Sequence, residues 1–309
     1  MKAKKTILTA VAAAAIAVGA QAQTRKIAPA GQDYTIGSVI AASGSNVTYQ
    51  WFRNGTAIAG ATSANYTVPA NLAKMDNGLN VRWTLGARFQ RLAYGIDCAG
   101  GVAMSNEVMV YFCELMVNGV CWARANSDAD SNISSNPWDL GAFFQWNRPT
   151  AGYSATSPAT GVAVSGWPTT PDYAATWTNG YPCPMGWRLP TRVDMQNLIS
   201  MSQPAGGILV EGGVRGIPAG VSGRIYGYNT NYCTMTNMVG CMFLPVSGYR
   251  NGTTGALTSS TSGGRIWGSE QSTAKLGARL FFNTSGSSNE VAETNKEIGM
   301  PVRCVIDVQ

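Results

Sequence analysis

The 309-residue chain contains no histidine. That absence removes the commonest general base near neutral pH, the Ser-His and Cys-His nucleophile systems, and every histidine-ligated zinc site. Charge is also scarce, at 12% of residues. The arginines are scattered singly, so the clustered basic face that nucleic acid requires is missing despite a sequence pI near 9.0. Seven cysteines are present, but none forms a C-x-x-C pair of the metal or thioredoxin type. No pair among the 16 acidic residues stands out as an acid/base couple. These absences exclude most hydrolase mechanisms.

What is present begins with MKAKKTILTAVAAAAIAVGAQAQT. Lys2, Lys4 and Lys5 precede an apolar run from Ile7 to Val18, and Ala20-Gln21-Ala22 forms an A-x-A site, the pattern of a secretory signal peptide over residues 1–22. The run is too short for a spanning helix, which needs about 20 apolar residues. With the three lysines of this segment set aside, 19 basic residues face 16 acidic ones, so the expected mature chain is close to neutral. Cysteines in an exported chain are expected to form disulfides.

From residue 23 to 113 short apolar-alternating runs are separated by Gly, Asn, Ser and Pro, which predicts an all-β sandwich. In NVTYQWFRNGTAIAGATSANYTVPA, Val47, Tyr49 and Trp51 alternate as an inward face, Asn54-Gly55 supplies a hairpin turn, and the return strand starts at Ala57-Ile58. This stretch resembles bacterial immunoglobulin-like modules, without the cysteine pair of antibody domains. Residues 88–113 read as a closing hairpin turning at Gly100-Gly101. From 114 to 309 tryptophans become frequent and loops lengthen. One helix is predicted there: Thr191 and Asp194 make a capping box, and Met195, Leu198, Ile199 and Ser202 follow at helical spacing until Gly206-Gly207. The remaining short β segments around this helix argue for an α+β domain.

CPMGWRLPT, Cys183 to Thr191, is similar to the "CP-x-GWR-(L/V)-PT" signature of the Fibrobacter succinogenes major paralogous domain, a family of exported proteins. Further blocks agree in order: VCWARAN from Val120, GAFFQWNR from Gly141, LPVSGYRNGTTGAL from Leu244, GGRIWGS from Gly263 and VRCV from Val302. Arg265-Ile266, Gly268 and Met300-Pro301 depart from the family pattern. The resemblance implies an α+β C-type-lectin-like fold for 114–309, preceded by the immunoglobulin-like sandwich, with the first and last strands of the domain meeting. It also implies a Cys183–Cys304 bridge beside a short Cys233–Cys241 bridge, while a competing pairing joins Cys121 to Cys304. Cys98, Cys113 and Cys121 leave one pair and one odd thiol.

Within that frame Trp122, Trp146, Trp187 and Trp267 read mainly as core aromatics, with Trp267 kept as a sugar-stacking candidate. Tyr226, Tyr228, Asn229, Tyr232, Arg250, Asn251 and Glu270 are the loop candidates for ligand contact, because Tyr and Asn give contact area and hydrogen bonds at low entropic cost. Asp128 and Asp130 lack the spaced Gly and distal Glu of a calcium loop, and the Glu-Pro-Asn and Trp-Asn-Asp triplets of calcium-dependent lectins are absent, so no metal or cofactor is expected. "RLPT" also occurs in formylglycine-generating enzymes, whose reactive cysteine chemistry does not suit cysteines expected to be bridged. The expectation is an exported, non-enzymatic protein at the cell surface, in the medium or in the periplasm. It would bind a glycan or a surface protein through loops between about residues 206 and 289, without nucleic acid. The rival expectation is a structural or tip subunit of a surface fibre.

Overall fold

The computed structural model describes residues 24–29, 33–37, 45–53, 56–69, 82–93, 96–98, 102–104, 108–130, 132–154, 160–177, 182–184, 186–228 and 230–307. The expected signal peptide and the expected turns Asn54-Gly55 and Gly100-Gly101 lie outside the described residues. The chain divides into two compact units. One comprises Met1–Lys26, Ile36–Tyr66 and Val81–Met109; the other comprises Ile27–Thr35, Thr67–Asn80 and Val110–Gln309.

The N-terminal strands are β1 (Thr24–Pro29), β2 (Tyr34–Ile36), β3 (Ser45–Arg53), β4 (Thr56–Ala57), β5 (Tyr66–Val68), β6 (Arg82–Ala93), β7 (Ile96–Cys98), β8 (Val102–Met104) and β9 (Val108–Cys113). Seven of them form one sheet in the order β1-β9-β6-β3-β4, with β7 and β8 also laid against β6, while β2 and β5 form a separate ladder. Arg53 stands opposite Thr56 across the expected hairpin. Trp51 is fully buried, donates its indole N–H to the Ser63 carbonyl at 3.0 Å, and lies 5.8 Å from the Tyr66 ring.

An immunoglobulin sandwich needs two sheets packed face to face. Among the described residues, seven strands in one sheet and a two-stranded ladder do not supply that arrangement, so the sandwich expectation is corrected. The expected closing hairpin over residues 88–113 is corrected too, because the strands on either side of its expected turn pair with β6. The twelve-residue β6 is long enough to take both strands in succession, pairing β8 through Gly86↔Met104 and β7 through Ala93↔Ile96.

The second unit contains β10 (Leu115–Val117), β11 (Val120–Trp122), β12 (Ala142–Gln145), β13 (Arg148–Ser154), helix α1 (Arg192–Met201), β14 (Ile208–Val210), β15 (Gly223–Gly227), β16 (Cys241–Pro245), β17 (Tyr249–Arg250), β18 (Leu257–Thr258), β19 (Gly263–Thr273), β20 (Leu276–Asn283), β21 (Asn289–Asn295), β22 (Gly299–Met300) and β23 (Val305–Asp307). They form four small sheets: β10-β11-β23, β13-β12-β22-β17-β18, β14-β15-β16 and β19-β20-β21. The expected α+β C-type-lectin-like pattern is therefore also corrected. Among the described residues of this unit, one ten-residue helix stands among strands mostly two to eight residues long, because glycines, prolines and polar turns interrupt the chain before longer elements can form.

The helix starts as its sequence predicts. The Thr191 hydroxyl accepts from the Asp194 amide, and the Asp194 carboxylate accepts from the Thr191 amide at 2.8 Å. It ends at Met201, earlier than Gly206-Gly207, and the extended Ser202 caps it. The segment before the helix closes the unit. Arg188 and Val305 exchange two backbone hydrogen bonds of 2.9 and 2.8 Å. The Arg188 guanidinium contacts Asp194 at 2.6 Å and Asp307 at 2.5 Å. β11 and β23 pair through Trp122↔Val305, so the first and last parts of the unit meet.

Three disulfides reinforce this: Cys183–Cys304, Cys233–Cys241 and Cys113–Cys121. The competing Cys121–Cys304 pairing is thereby excluded. In the chain-entropy account, a bridge spanning 121 residues contributes about 5 kcal/mol, and each bridge spanning 8 about 2.5 kcal/mol. Disulfides suit an oxidising, exported environment. No helix among the described residues is long and apolar enough to cross a membrane. The side chain of Cys98 lies outside the described residues.

Candidate functional site

The β19-β20-β21 sheet organises the candidate site through the two-residue period of its strands. Ile266, Ala278, Leu280 and Phe282 join one buried cluster with Met195 and Leu198 of the helix. The intervening residues face the other way. Arg265 stands opposite Phe281, and Trp267 stands opposite Arg279. On that face Trp267 enters a second core with Trp146 and Trp177, its ring 5.4 Å from that of Trp146 in an edge-on contact. Gly277 makes this packing feasible, since a Cβ there would lie 2.5 Å from the Trp146 ring.

Beside the tryptophans the same face opens into a cavity of about 590 Å³. Arg265 and Arg279 line it together with Tyr249 of β17 and Glu297. Asn251, Thr253, Thr294 and Asn295 also line it. The Arg265 guanidinium stacks between two rings, 4.6 Å from the centroids of both Tyr249 and Phe281, while Arg279 lies 4.8 Å from Phe281. Aromatic faces stabilise a cation but take up none of its N–H donors.

Those donors are left over. Arg265 is only 9% exposed, and its Nε and Nη1, like Nε of Arg279, are buried atoms without a hydrogen-bond partner among the described residues. Among the described residues neither arginine forms a salt bridge. Glu297 lines the same cavity, and its Oε2 is a buried acceptor without a donor among the described residues. Burial pulls the Arg265 guanidinium below its ordinary value, to about 10, and repulsion from Arg279 adds to this against a smaller opposing effect of Tyr249. Burial lowers Arg279 as well, opposed by Glu290 and Tyr249. Two adjacent cations with unspent donors, each held partly out of water, create a strong local demand for an anion.

The residues expected from sequence fall in different places. Asn251 lines the cavity, and its side-chain oxygen also accepts from the Thr253 amide at 2.8 Å. Arg250 is fully buried and donates Nη1 to the Gly255 carbonyl at 2.9 Å, which makes it a framework residue. Trp267 is fully buried, with its indole N–H donated to the Phe144 carbonyl at 2.8 Å, so it offers no stacking surface. Tyr226 is likewise buried, donates its hydroxyl to Asn289 at 2.8 Å, and has its pKa raised by that burial. Tyr228 and Tyr232 are exposed, at 43% and 77%, outside the cavity lining. Asn229 lies outside the described residues. Glu270 accepts from the Arg192 amide at 2.7 Å, placing its charge at the start of α1, where the helix dipole favours an anion. Asp128 spends Oδ1 on the amides of Asp130 and Asn132 at 2.9 Å, closing its own loop.

Sequence reasoning missed Arg265, Arg279, Tyr249 and Glu297. A signal did exist: arginine interrupts the apolar residues of both GRIWG and ARLFF, at positions that strand alternation should assign to one face. The chain matches no protein-family model, no curated protein and no solved structure with which it was compared.

Proposed function

We propose that this chain is an exported recognition protein of the cell surface or the surrounding medium. It carries out no catalysis and binds a glycan or a surface protein in the cavity lined by Arg265 and Arg279. The observation that carries this reading is a pair of guanidiniums that form no salt bridge among the described residues and line a cavity whose size falls within the usual range for ligand pockets, about 300–1,000 Å³. A structural subunit needs no such unspent hydrogen-bonding capacity, whereas a binding protein uses it when its ligand arrives. The disulfides support export, and the resemblance of the CPMGWRLPT block to an exported family points the same way. The absence of histidine supports a binding role over a catalytic one.

The test is a broad glycan array together with a pulldown from surface extracts, using protein whose three bridges have been confirmed by non-reducing peptide mapping. A ligand retained by the wild type and lost on substitution of Arg265 is the expected result. Blank outcomes in both assays with correctly bridged protein would overturn the reading.

A further inference from the structure

We infer that the ligand is an acidic saccharide, whose carboxylate or sulfate ester sits across Arg265 and Arg279 while neighbouring hydroxyls donate to Glu297. This rests on the recognition function proposed above and adds the chemical class of the ligand.

Three features of the cavity lead there. Two guanidiniums on one sheet face, both lining the cavity and neither in a salt bridge among the described residues, match an anion with several acceptor oxygens; planar guanidinium donors suit carboxylate and sulfate alike. The Glu297 carboxylate in the same cavity argues against a bare inorganic ion. It forms no salt bridge among the described residues, so a ligand with O–H or N–H groups beside its anionic group suits it. A sugar acid or sulfated sugar carries both on one ring.

The third feature is the wall. Asn251, Thr253, Thr294, Asn295 and Thr169 are short and polar, Tyr249 adds one ring, and Ile298 is the single aliphatic side chain in the lining. An acidic peptide can also dock on an arginine pair, but this lining offers it one aliphatic side chain and no row of apolar pockets for alternate side chains. The lining suits a hydroxylated ligand better. Anion binding would also relieve the repulsion between the two arginines and return their depressed pKa values toward normal.

The experiment is calorimetric titration of the full chain with four probes: an oligogalacturonide for carboxylate, a heparin-derived oligosaccharide for sulfate ester, neutral maltohexaose, and an oligoglutamate peptide. At least one acidic saccharide is expected to bind ten times or more tightly than the neutral sugar and the peptide, and the preferred arm identifies the anionic group. Arg265→Gln and Arg279→Gln should each weaken that binding at least tenfold without lowering the melting temperature. Thr253→Glu, an exposed rim change with little bearing on folding, should weaken it as well by adding a like charge.

Equal binding of the neutral sugar would overturn the acidic-ligand inference while leaving glycan recognition intact. Tightest binding of oligoglutamate would overturn the saccharide assignment. Acidic-sugar binding that ignores all three substitutions, or no binding of either acidic sugar, would also overturn it.

Discussion

Arg303 and Arg265 are both buried arginines of the second unit, yet they sit in opposite circumstances. In the closing region Arg303 is fully buried, and its guanidinium donates to Asn126, to the carbonyls of Ala123 and Arg124, and to the Phe243 carbonyl at 2.9 Å. Lys296, also fully buried, is likewise satisfied by the Ala174 carbonyl and Gln271 at 2.8 Å each. In the cavity Arg265 and Arg279 are stacked on rings but keep donors unspent. A buried cation with a full set of acceptors holds a fold together. A buried cation without them weakens the fold until an acceptor is supplied.

The largest effect should come from opening the closing region. The double variant Cys183→Ser, Cys304→Ser is expected to lose about 5 kcal/mol in urea unfolding, from the 121-residue span of that bridge. A loss near 2 kcal/mol or less would mean that the contacts of Arg188 and Arg303 already restrain this region without covalent help. Next, Arg303→Met should cost roughly 3 to 5 kcal/mol, because it strands the Asn126 oxygen and three carbonyls in a dry interior. Near-neutral stability in that variant would break the contrast with the cavity.

How far sequence led to these two regions differs for a physical reason. The closing region was largely legible, because its signals are local or covalent: proline and threonine mark a helix start, Asp194 completes the capping box, and the cysteines are few enough for Cys183 and Cys304 to be paired once the resemblance is noticed. The cavity was not legible in this way. It depends on the register that sets Arg265 opposite Phe281 and on Tyr249 and Glu297 arriving from other segments. Arg250 illustrates the converse error. Followed by Asn251-Gly252, it looks like a loop-tip contact, but its strand turns it inward to the Gly255 carbonyl. The fold class was misread because a resemblance carried by short blocks constrains local turns and says little about how many strands and helices lie between them.

A smaller effect should appear in acid. The hydrogen bond from Arg188 holds the Asp307 carboxyl below its ordinary pKa, with their direct charge attraction adding to it against a modest cost of burial. A carboxylate with a lowered folded-state pKa stabilises the protein above its unfolded value, near 3.8, and loses that contribution as pH falls through the folded value. The side chain of Asp307 is 62% exposed, so the pair contributes at most about 1 kcal/mol. The stability gap between wild type and Asp307→Asn should therefore be present at pH 6 and close below about pH 4. A gap that stays constant down to pH 2 would show that the contact acts through packing alone.

The smallest expected change is the most informative. Arg265→Met keeps the aliphatic length that packs between Tyr249 and Phe281 while deleting a buried charge that has no salt bridge. The lost ring contacts are worth about 0.5 to 2 kcal/mol, and removing the repulsion with Arg279 and the unsatisfied donors offsets them. The unliganded variant should thus unfold within about 1 kcal/mol of wild type, and on the stable side if desolvation dominates. A loss as large as that of Arg303→Met would place Arg265 in the framework, and the distinction between the two regions would fail. Wild-type stability combined with lost ligand binding would show that this arginine is kept for what the cavity holds.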